Sequence, residues 1–392
     1  MRRDLATRQG TPKQTTLGGG TQCEALADKL PVAPKPAGEA LAGKLPVAPV
    51  AGGRCGRRGF VLIMVMVVLT GLALLAFHLA ARCRMRLAEL SGTVRASQGK
   101  WLAYAAVQRS ILELEADKND WDALNESWAQ LGSAPTDKWF TRNIEGLTKD
   151  LVPYCAVMDE HAKINVRPLA GVAQVAQLGE WGKHLEPLLA DWTDADEERR
   201  PDGAESADCA ADGYGAKNRP LEVLEELRFL KGMSPQAMLG EDANGNSVLD
   251  AREDDGAAQP PLDNQDGLLD PGPWSLLTCV GDGKININTA PLEVLATLSP
   301  LDRRDAAAIV AYRESRQRGT SQEPPFRTVQ ELSQIVAEQW KVDSLQSALC
   351  TSSKDFRVVA MVQDAEGRSV TRHEVLLVRE QGECKVRMYS GW

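Results

Sequence analysis

Phe60–Ala81 reads FVLIMVMVVLTGLALLAFHLAA, and its 22 residues include no Asp, Glu, Lys or Arg. A helix of this length spans roughly 33 Å at 1.5 Å per residue, enough for the ~30 Å hydrocarbon core of a bilayer. The alternative is a helix buried in a soluble core, and the unbroken apolar run from Phe60 to Leu69 disfavours it. The sequence therefore predicts one membrane-spanning helix over 60–81.

Charge is distributed unevenly on the two sides of this run. Residues 1–59 carry ten Lys and Arg against four Asp and Glu, although the whole chain has a net charge of −9. The more basic flank stays on the cytoplasmic side of a membrane, so we expect a cytoplasmic N terminus and an exported body. The acidic body also disfavours nucleic acid as a partner, because a polyanion is repelled by an acidic surface.

The motif Arg57-Arg58-Gly59-Phe60 stands directly at the start of the apolar run. It resembles the cleavage site of type IV prepilins and type II secretion pseudopilins. The resemblance implies that a prepilin peptidase cuts between Gly59 and Phe60 and methylates Phe60. Residues 1–59 would then be a basic leader that is removed. The alternative is an uncleaved anchor on a calcium-stabilised cell-surface protein.

Mature position five of such a chain is Met64. Most members of that family carry Glu at this position, and a carboxylate in lipid is costly unless it is paired. In the family this Glu is thought to pair with the N-terminal ammonium of a neighbouring subunit. Met64 cannot offer that contact to a subunit ahead of it. This departure is characteristic of the minor pseudopilin K, and it implies a place at the filament tip.

Apolar residues spaced by 3, 4 and 7 predict that the helix continues beyond Ala81 with one apolar stripe. They are Leu87, Leu90, Val94, Trp101, Ala105 and Leu112. A helix half in lipid and half packed on a soluble domain is the shape of a pilin.

Strand patterns are few and scattered in the soluble body. They are Val152–Met158, Lys163–Val166, Lys284–Asn288, Phe356–Gln363, Glu374–Arg379 and Lys385–Tyr389. Residues 159–162 (DEHA) suggest a hairpin turn between the first two, and residues 364–369 (DAEGRS) suggest a turn before Glu374.

Short helices are expected after Pro220 and Pro291, in the repeated PLEVL, and from Thr328. The stretch from Lys284 to Ile335 is similar to DNA-binding helix-hairpin-helix domains, which hold phosphate on a glycine-rich hairpin. The hairpin here, Leu298–Ala306, lacks Gly-x-Gly and contains two Asp residues. A structural helix pair is therefore favoured, and a membrane-anchored DNA-uptake protein is the second interpretation.

The order of these motifs resembles the general secretion pathway protein K family. It implies an α+β fold, with a pilin-like long N-terminal helix packed on a small antiparallel sheet. The insertion would be large, mainly helical and built of helix-hairpin-helix-like (SAM-like) units. The predicted division is 1–59 leader, 60–81 membrane segment, 82–165 remaining helix and first strands, 166–352 insertion, and 353–392 closing strands. The implied partners are the other minor pseudopilins, the prepilin peptidase and the inner-membrane assembly platform.

Two acidic segments are candidate calcium loops. The first follows the ligand order of an EF-hand, with the carbonyl of position 7 completing the set. Its residues are Asp242, Asn244, Asn246, Val248, Asp250 and Glu253, and position 6 is Ser247 where an EF-hand has Gly. The second contains Asp263, Asp266 and Asp270 around a Gly turn. We expect structural calcium here, with an acidic loop that binds no metal as the alternative.

No motif indicates catalysis. The histidines His78, His161, His184 and His373 have no zinc-site spacing, and the sequence contains no GxSxG, P-loop or GxGxxG. Carboxylates are abundant, but abundance does not place an acid and a base together. We therefore expect a protein that acts by assembly and not as an enzyme.

Overall fold

A computed structural model of the chain describes residues 58–132, 151–210, 213–242, 249, 253–256, 263, 265–317, 323–364 and 368–391. The chain divides into two compact units, one ending at Leu74 and the other beginning at Leu75. Helix α1, Arg58–Ala116, begins in the first unit and ends in the second. The predicted continuation of the helix beyond Ala81 is thus confirmed.

The second unit contains further helices, most of them short. They are α2 (Leu169–Val175), α3 (Glu180–Thr193), α4 (Ser206–Cys209), α5 (Pro235–Leu239), α6 (Pro273–Leu276), α7 (Leu292–Leu295), α8 (Arg303–Gln317) and α9 (Gln339–Leu345). Single 3-10 turns occupy Ala129–Gly132, Glu160–Ala162, Leu224–Phe229 and Val329–Gln334.

The strands fall into one sheet of four and two parallel pairs. They are β1 (Leu151–Asp159), β2 (Ile164–Asn165), β3 (Leu277–Thr278), β4 (Ile285–Asn286), β5 (Leu349–Cys350), β6 (Asp355–Asp364), β7 (Ser369–Glu380) and β8 (Glu383–Gly391). The large sheet is antiparallel in the order β1-β6-β7-β8, with Cys155 opposite Ala360 and Phe356 opposite Leu377. The predicted small antiparallel sheet is therefore confirmed.

The C-terminal part of α1 packs on this sheet through a face of small and larger apolar residues. Leu102, Ala103, Ala106, Val107 and Leu114 are buried against apolar side chains of β1, β6 and β7. Because an α-helix turns 100° per residue, these positions lie roughly opposite the apolar stripe predicted from the sequence. The stripe therefore does not face the sheet.

Five of the six predicted stripe residues are exposed, and the sixth, Ala105, is half-buried. The exposed fraction ranges from 55% at Val94 to 69% at Trp101. Ala103 and Ala106 on the buried face leave room for the helix to approach the sheet closely, while the residues of the stripe lie outside this core.

A second core holds the helices between β1 and β6 together. Leu189 of α3, Leu221, Leu295 of α7, Ile309 of α8 and Phe326 are completely buried in it. This region is the mainly helical part expected from the sequence. The domain boundaries proposed above stay a prediction.

The predicted hairpin at residues 159–162 is wrong. Glu160–Ala162 forms a 3-10 turn capped by the Asp159 side chain, which accepts a hydrogen bond from the His161 N–H at 2.8 Å. β1 then pairs with β6, whereas β2 pairs in parallel with β3. The side-chain cap directs the chain out of the large sheet, where a hairpin would have kept it.

Of the three predicted helix starts, one is confirmed and two need correction. Helix α7 begins at Leu292, directly after Pro291, as predicted. After Pro220 the chain forms a 3-10 turn that begins only at Leu224, and Thr328 precedes a 3-10 turn instead of an α-helix. Such short turns are stabilised by the surrounding core, because isolated helices of this length are not stable.

The backbone at Gly171 of α2 lies so close to the backbone of Asn165 that no side chain fits between them. A Cβ at this position would lie 1.7 Å from the carbonyl oxygen of Asn165. The Asn165 side chain is held in turn by the carbonyls of Val280 and Gly281, at 3.0 and 3.1 Å. The backbone therefore has little freedom to move away.

We expect Gly171→Ala to lower the free energy of unfolding by about 1–3 kcal/mol, the usual range for overpacking. Chemical denaturation of the full chain in detergent micelles, followed by tryptophan fluorescence, measures this change. Gly92→Ala in α1 is the matched control, because a Cβ there has nothing within 4 Å. It is expected to stabilise by up to ~1 kcal/mol through helix propensity. If Gly171→Ala and Gly92→Ala unfold at the same denaturant concentration, a Cβ fits at position 171 and the contact with Asn165 is not close.

Candidate functional site

The cleavage motif lies at the start of α1, which begins at Arg58. Phe60 and Met64 are 70% and 61% exposed. The most apolar stretch of 18 residues in this helix has a mean hydropathy of 2.9 and is not buried by any of the residues that the structure describes. By length and composition the helix can cross a membrane, as expected for a single anchor. Cleavage after Gly59 and methylation of Phe60 stay predictions.

A buried polar junction joins the large sheet to the helical region at the end of β1. Asp159 Oδ2 accepts hydrogen bonds from Thr289 Oγ1 and Ser353 Oγ, both at 2.6 Å, and from Asn286 Nδ2 at 3.0 Å. All four residues are less than 10% exposed. Three separate segments of the chain therefore meet on one carboxylate.

Glu160, the next residue, is paired with two buried cations. Its Oε1 atom lies 2.8 Å from Arg357 Nε and 2.9 Å from Lys163 Nζ. Arg357 also pairs with Glu374 and lies over the ring of Trp274, 5.3 Å from the centroid. Burial alone would raise the pKa of Glu160, but the charges of Arg357 and Lys163 hold it well below its usual range.

A third group of charges holds the end of α1 against β7. Asp117, Asp122 and Glu126 are close enough together to suggest a cation site. Arg379 fills it, with Nη2 at 2.6 Å from Asp122 Oδ1 and Nη1 at 2.8 Å from Asp117 Oδ2. Glu126 accepts instead from the side-chain amide of Asn119 at 2.6 Å. The charge of this cluster is therefore balanced by the side chain of Arg379.

The first acidic segment has buried carboxylates at both ends. Asp242 is completely buried and Glu253 is 2% exposed. Asp242 Oδ2 accepts from Ser275 Oγ at 3.3 Å. The other predicted ligands, Asn244, Asn246, Val248 and Asp250, lie outside the described residues.

The second acidic segment makes hydrogen bonds to described residues that flank the first. The N–H of Asp270 donates to Glu241 Oε2 at 2.9 Å, and its carbonyl accepts from the Glu241 N–H at 3.0 Å. Asp263 accepts from the Gly256 N–H at 2.6 Å, and Asp266 accepts from the Leu268 N–H. The structure thus brings the two segments together at both ends, which a shared ion would require. Calcium binding by these residues stays a prediction.

In the hairpin between α7 and α8, a carboxylate of the hairpin itself already accepts hydrogen bonds from the backbone N–H groups. Asp302 Oδ1 accepts from the N–H groups of Arg304 at 2.8 Å and Asp305 at 2.9 Å. A helix-hairpin-helix that holds DNA offers such N–H groups to a phosphate. Lys341 is likewise paired, 2.7 Å from Asp305. These contacts disfavour the DNA-binding interpretation.

The sequence patterns did not predict this junction. Asn165 and Asn286 were assigned only to strand patterns, and Asp159 and Glu160 only to a turn. Arg357 was missed, although it is the one charge in an otherwise apolar strand from Phe356 to Val362. A charge in such a run indicates a buried partner, because an unpaired buried charge is very costly.

These features define a class of α+β proteins with one apolar N-terminal helix, a helix-on-sheet unit and a mainly helical insertion. Two family models match this chain, both described as type II secretion system (T2SS), protein K. They cover residues 167–239 and 285–348, the two parts of the helical region on either side of the acidic segments.

A curated relative, the type II secretion system protein K of Klebsiella pneumoniae, is 30% identical over 203 residues. The match covers 45% of this chain and 58% of the relative. Over its helical region this chain is therefore similar to the type II secretion system protein K family, and it spans 58% of the length of this curated relative. Among solved structures, the GspK-GspI-GspJ complex from enterotoxigenic Escherichia coli is 15% identical, with a TM-score of 0.47 over 79% of this chain and 99% of the other.

Proposed function

We propose that this chain is a minor pseudopilin at the tip of a type II secretion pseudopilus. There it initiates or caps assembly and supports protein export across the outer membrane. Its similarity to the protein K family supports this role, and so does its apolar N-terminal helix. The family name denotes a component of a secretion system and no catalytic activity.

The observation that carries the proposal is the uncovered apolar stripe of α1 in the second unit. Leu87, Leu90, Val94, Trp101 and Leu112 are each more than half exposed, although they share one helix face. A soluble protein rarely leaves such a continuous apolar surface without a partner. The helices of other minor pseudopilins fit this surface best, because they would present apolar faces of the same period.

Met64 supports placement at the tip. A subunit within a filament would need a carboxylate to pair with the N-terminal ammonium of the subunit ahead. Met64 is apolar and carries no charge, so this chain lacks that contact with a subunit ahead of it. The filament would therefore end at this subunit.

Immunogold labelling of assembled filaments tests the tip placement. We expect one label per filament, at the end distant from the inner membrane. Labels repeated along the shaft would contradict the proposal.

The same proposal includes a membrane orientation, with the leader in the cytoplasm, the helix in the inner membrane and the body in the periplasm.

DNA uptake is the alternative function. It predicts tight, salt-sensitive binding of duplex DNA by the full chain in detergent, because phosphate contacts release counterions. We expect no such binding, since Asp302 already occupies the helix N–H groups.

Truncation of the stripe should weaken assembly without weakening the fold. Trp101→Ala removes the most exposed large residue of the stripe, so we expect a stability change within about 0.5 kcal/mol. Buried tryptophans at interfaces often contribute about 2 kcal/mol or more, so the affinity for the other minor pseudopilins should fall roughly 30-fold. Co-purification in detergent followed by titration measures the affinity.

Lys100→Ala is the matched control, because Lys100 is also exposed but lies on another face of α1. Lys100→Ala should leave unchanged both the stability and the affinity for the other minor pseudopilins. Equal affinities of the two variants would show that the stripe is not the assembly surface.

A further inference from the structure

A cavity of about 460 Å³ lies between the large sheet and the helical region. Its wall is mostly apolar and comes from β1, from α6 and from the segment that leads into α7. Leu124, Ala156, Val157, Leu276 and Pro291 are among the residues that line it. Cavities of this size, with a few polar groups in an apolar wall, are typical of small-molecule sites.

The guanidinium of Arg313 in this wall pairs with no carboxylate of the described residues. Arg313 belongs to α8, lines the cavity and is 5% exposed. Its Nη1 atom donates to the backbone carbonyls of Ala290 at 2.7 Å and Ile287 at 3.3 Å. Its Nε atom is buried and has no acceptor in the part of the chain that the structure describes. A buried cation is thus held by two neutral groups, and one of its donors is unused.

The carboxylates near Arg313 do not neutralise it. Glu314 affects its pKa, but the Glu314 side chain is exposed at the next position of α8. Glu293 lines the same cavity and makes no ion pair with Arg313 in the described structure. Asp159, which also lines the cavity, already accepts the hydrogen bonds of the buried junction.

Lys163, a second cation of the cavity wall, differs from Arg313 in this respect. Its Nζ atom lies 2.9 Å from Glu160 Oε1, so its charge is balanced within the chain. Arg313 is therefore the group of this wall that needs a partner from outside the described structure.

The electrostatics agree with this geometry. Burial lowers the pKa of Arg313 to about 10, because the guanidinium has lost most of its water. That value is still far above neutral pH, so the side chain keeps its charge. A buried charge without a counter-charge is strongly unfavourable, and an anion with two oxygens would relieve it.

We propose that this cavity binds a small molecule with an apolar body and one carboxylate, and that Arg313 receives the carboxylate. The planar fork of a guanidinium matches the two oxygens of a carboxylate. The apolar body would lie against the aliphatic wall and leave water. A folded partner protein is a poorer candidate, because its surface cannot reach a side chain that is 5% exposed.

The ligand would join parts of the chain that are distant in sequence. Ala156 lies on β1, Pro291 directly precedes α7, and Arg313 lies on α8. Binding should therefore stabilise the contact between the sheet and the helical region. This site is separate from the acidic segments at 241–270 and does not depend on the proposed function.

Titration of the full chain in detergent micelles with para-fluorophenylacetate, followed by fluorine NMR, tests the site. The neutral para-fluorophenylacetamide is the matched probe, because it has the same apolar body without the charge. We expect the wild type to bind the carboxylate at least ~10-fold more tightly than the amide, since hydrogen bonds between charged groups are the stronger kind. Micelles without protein correct for uptake of either probe by the detergent.

Three variants relate this binding to Arg313. Arg313→Met keeps a similar side-chain length without the charge, so it should weaken carboxylate binding ~10-fold or more and leave amide binding unchanged. Arg303→Met makes the same charge change at an exposed position of α8 and should bind as the wild type does. Glu293→Gln removes a negative charge from the cavity wall, so it should tighten carboxylate binding roughly 2- to 5-fold.

The proposal is overturned if the wild type binds the carboxylate no better than the amide, or if Arg313→Met binds it as tightly as the wild type. Tryptophan fluorescence shows whether Arg313→Met is folded. If it is not, Glu293→Gln decides the question. Tighter binding of the carboxylate alone then supports the site, and unchanged binding of both probes overturns it.

Discussion

A Gly59→Val variant is expected to accumulate as an uncut precursor and to abolish secretion. The peptidase expected here cuts after Gly, where the missing side chain lets the backbone approach the catalytic groups closely. Without the cut, Arg54, Arg57 and Arg58 stay attached to the apolar helix. Each Arg costs about 2.5–3.5 kcal/mol at the centre of a bilayer, so the helix could not leave the membrane for the filament. Immunoblots of precursor and mature chain, with assay of proteins in the medium, measure both effects.

Gly71→Val is the matched control for this experiment. Gly71 lies in the same helix, and a Cβ there has nothing within 4 Å. This variant should mature as the wild type does. Normal maturation and continued secretion of the Gly59→Val variant would exclude prepilin processing.

Replacement of Arg357 by Met is expected to cause the largest loss of stability. Met fills a similar volume but leaves Glu160 buried with only Lys163 as a charged partner. Removal of one member of a buried ion pair costs about 3–5 kcal/mol, because the remaining charge cannot reach water. Since Glu160 and Arg357 also join β6 to the turn after β1, the sheet and the helical region should lose stability together.

Denaturation in detergent micelles, followed by tryptophan fluorescence, measures this loss. Arg387→Met on β8 is the control, since that side chain is 51% exposed and its change should cost no more than about 0.5 kcal/mol. The loss in the double variant Arg357→Met with Glu160→Gln should be smaller than the sum of the two single losses, because each single change breaks the same Glu160–Arg357 pair. If Arg357→Met and Arg387→Met unfold at the same denaturant concentration, the junction does not stabilise the fold.

The elements that could be predicted from sequence are those whose residues repeat with a clear period. The long helix and the strands β6, β7 and β8 follow from apolar periodicity and from the turn residues around them. The very short elements could not be predicted in the same way. The turn at Leu224–Phe229, for example, depends on the core around Leu221, which no local pattern reveals.

The buried face of α1 was misjudged for a different reason. Sequence reasoning gave weight to the large apolar residues from Leu87 to Leu112, which form a regular stripe. The sheet instead packs on Ala103, Ala106 and their neighbours. Both faces are apolar, and only the tertiary structure decides which of them is covered.

The buried junction could not be predicted from the sequence. Asp159 and Glu160 were assigned to a turn, because polar residues after an apolar strand usually mark one. Their role depends on burial and on partners distant in sequence, such as Thr289, Ser353 and Arg357.

N-terminal sequencing and mass spectrometry of the protein purified from its own membranes test the prepilin proposal most directly. We expect a chain that begins at Phe60 and carries a methyl group on the Phe60 amine. A chain that still contains residues before Gly59, or that begins at another position without methylation, would contradict the proposal.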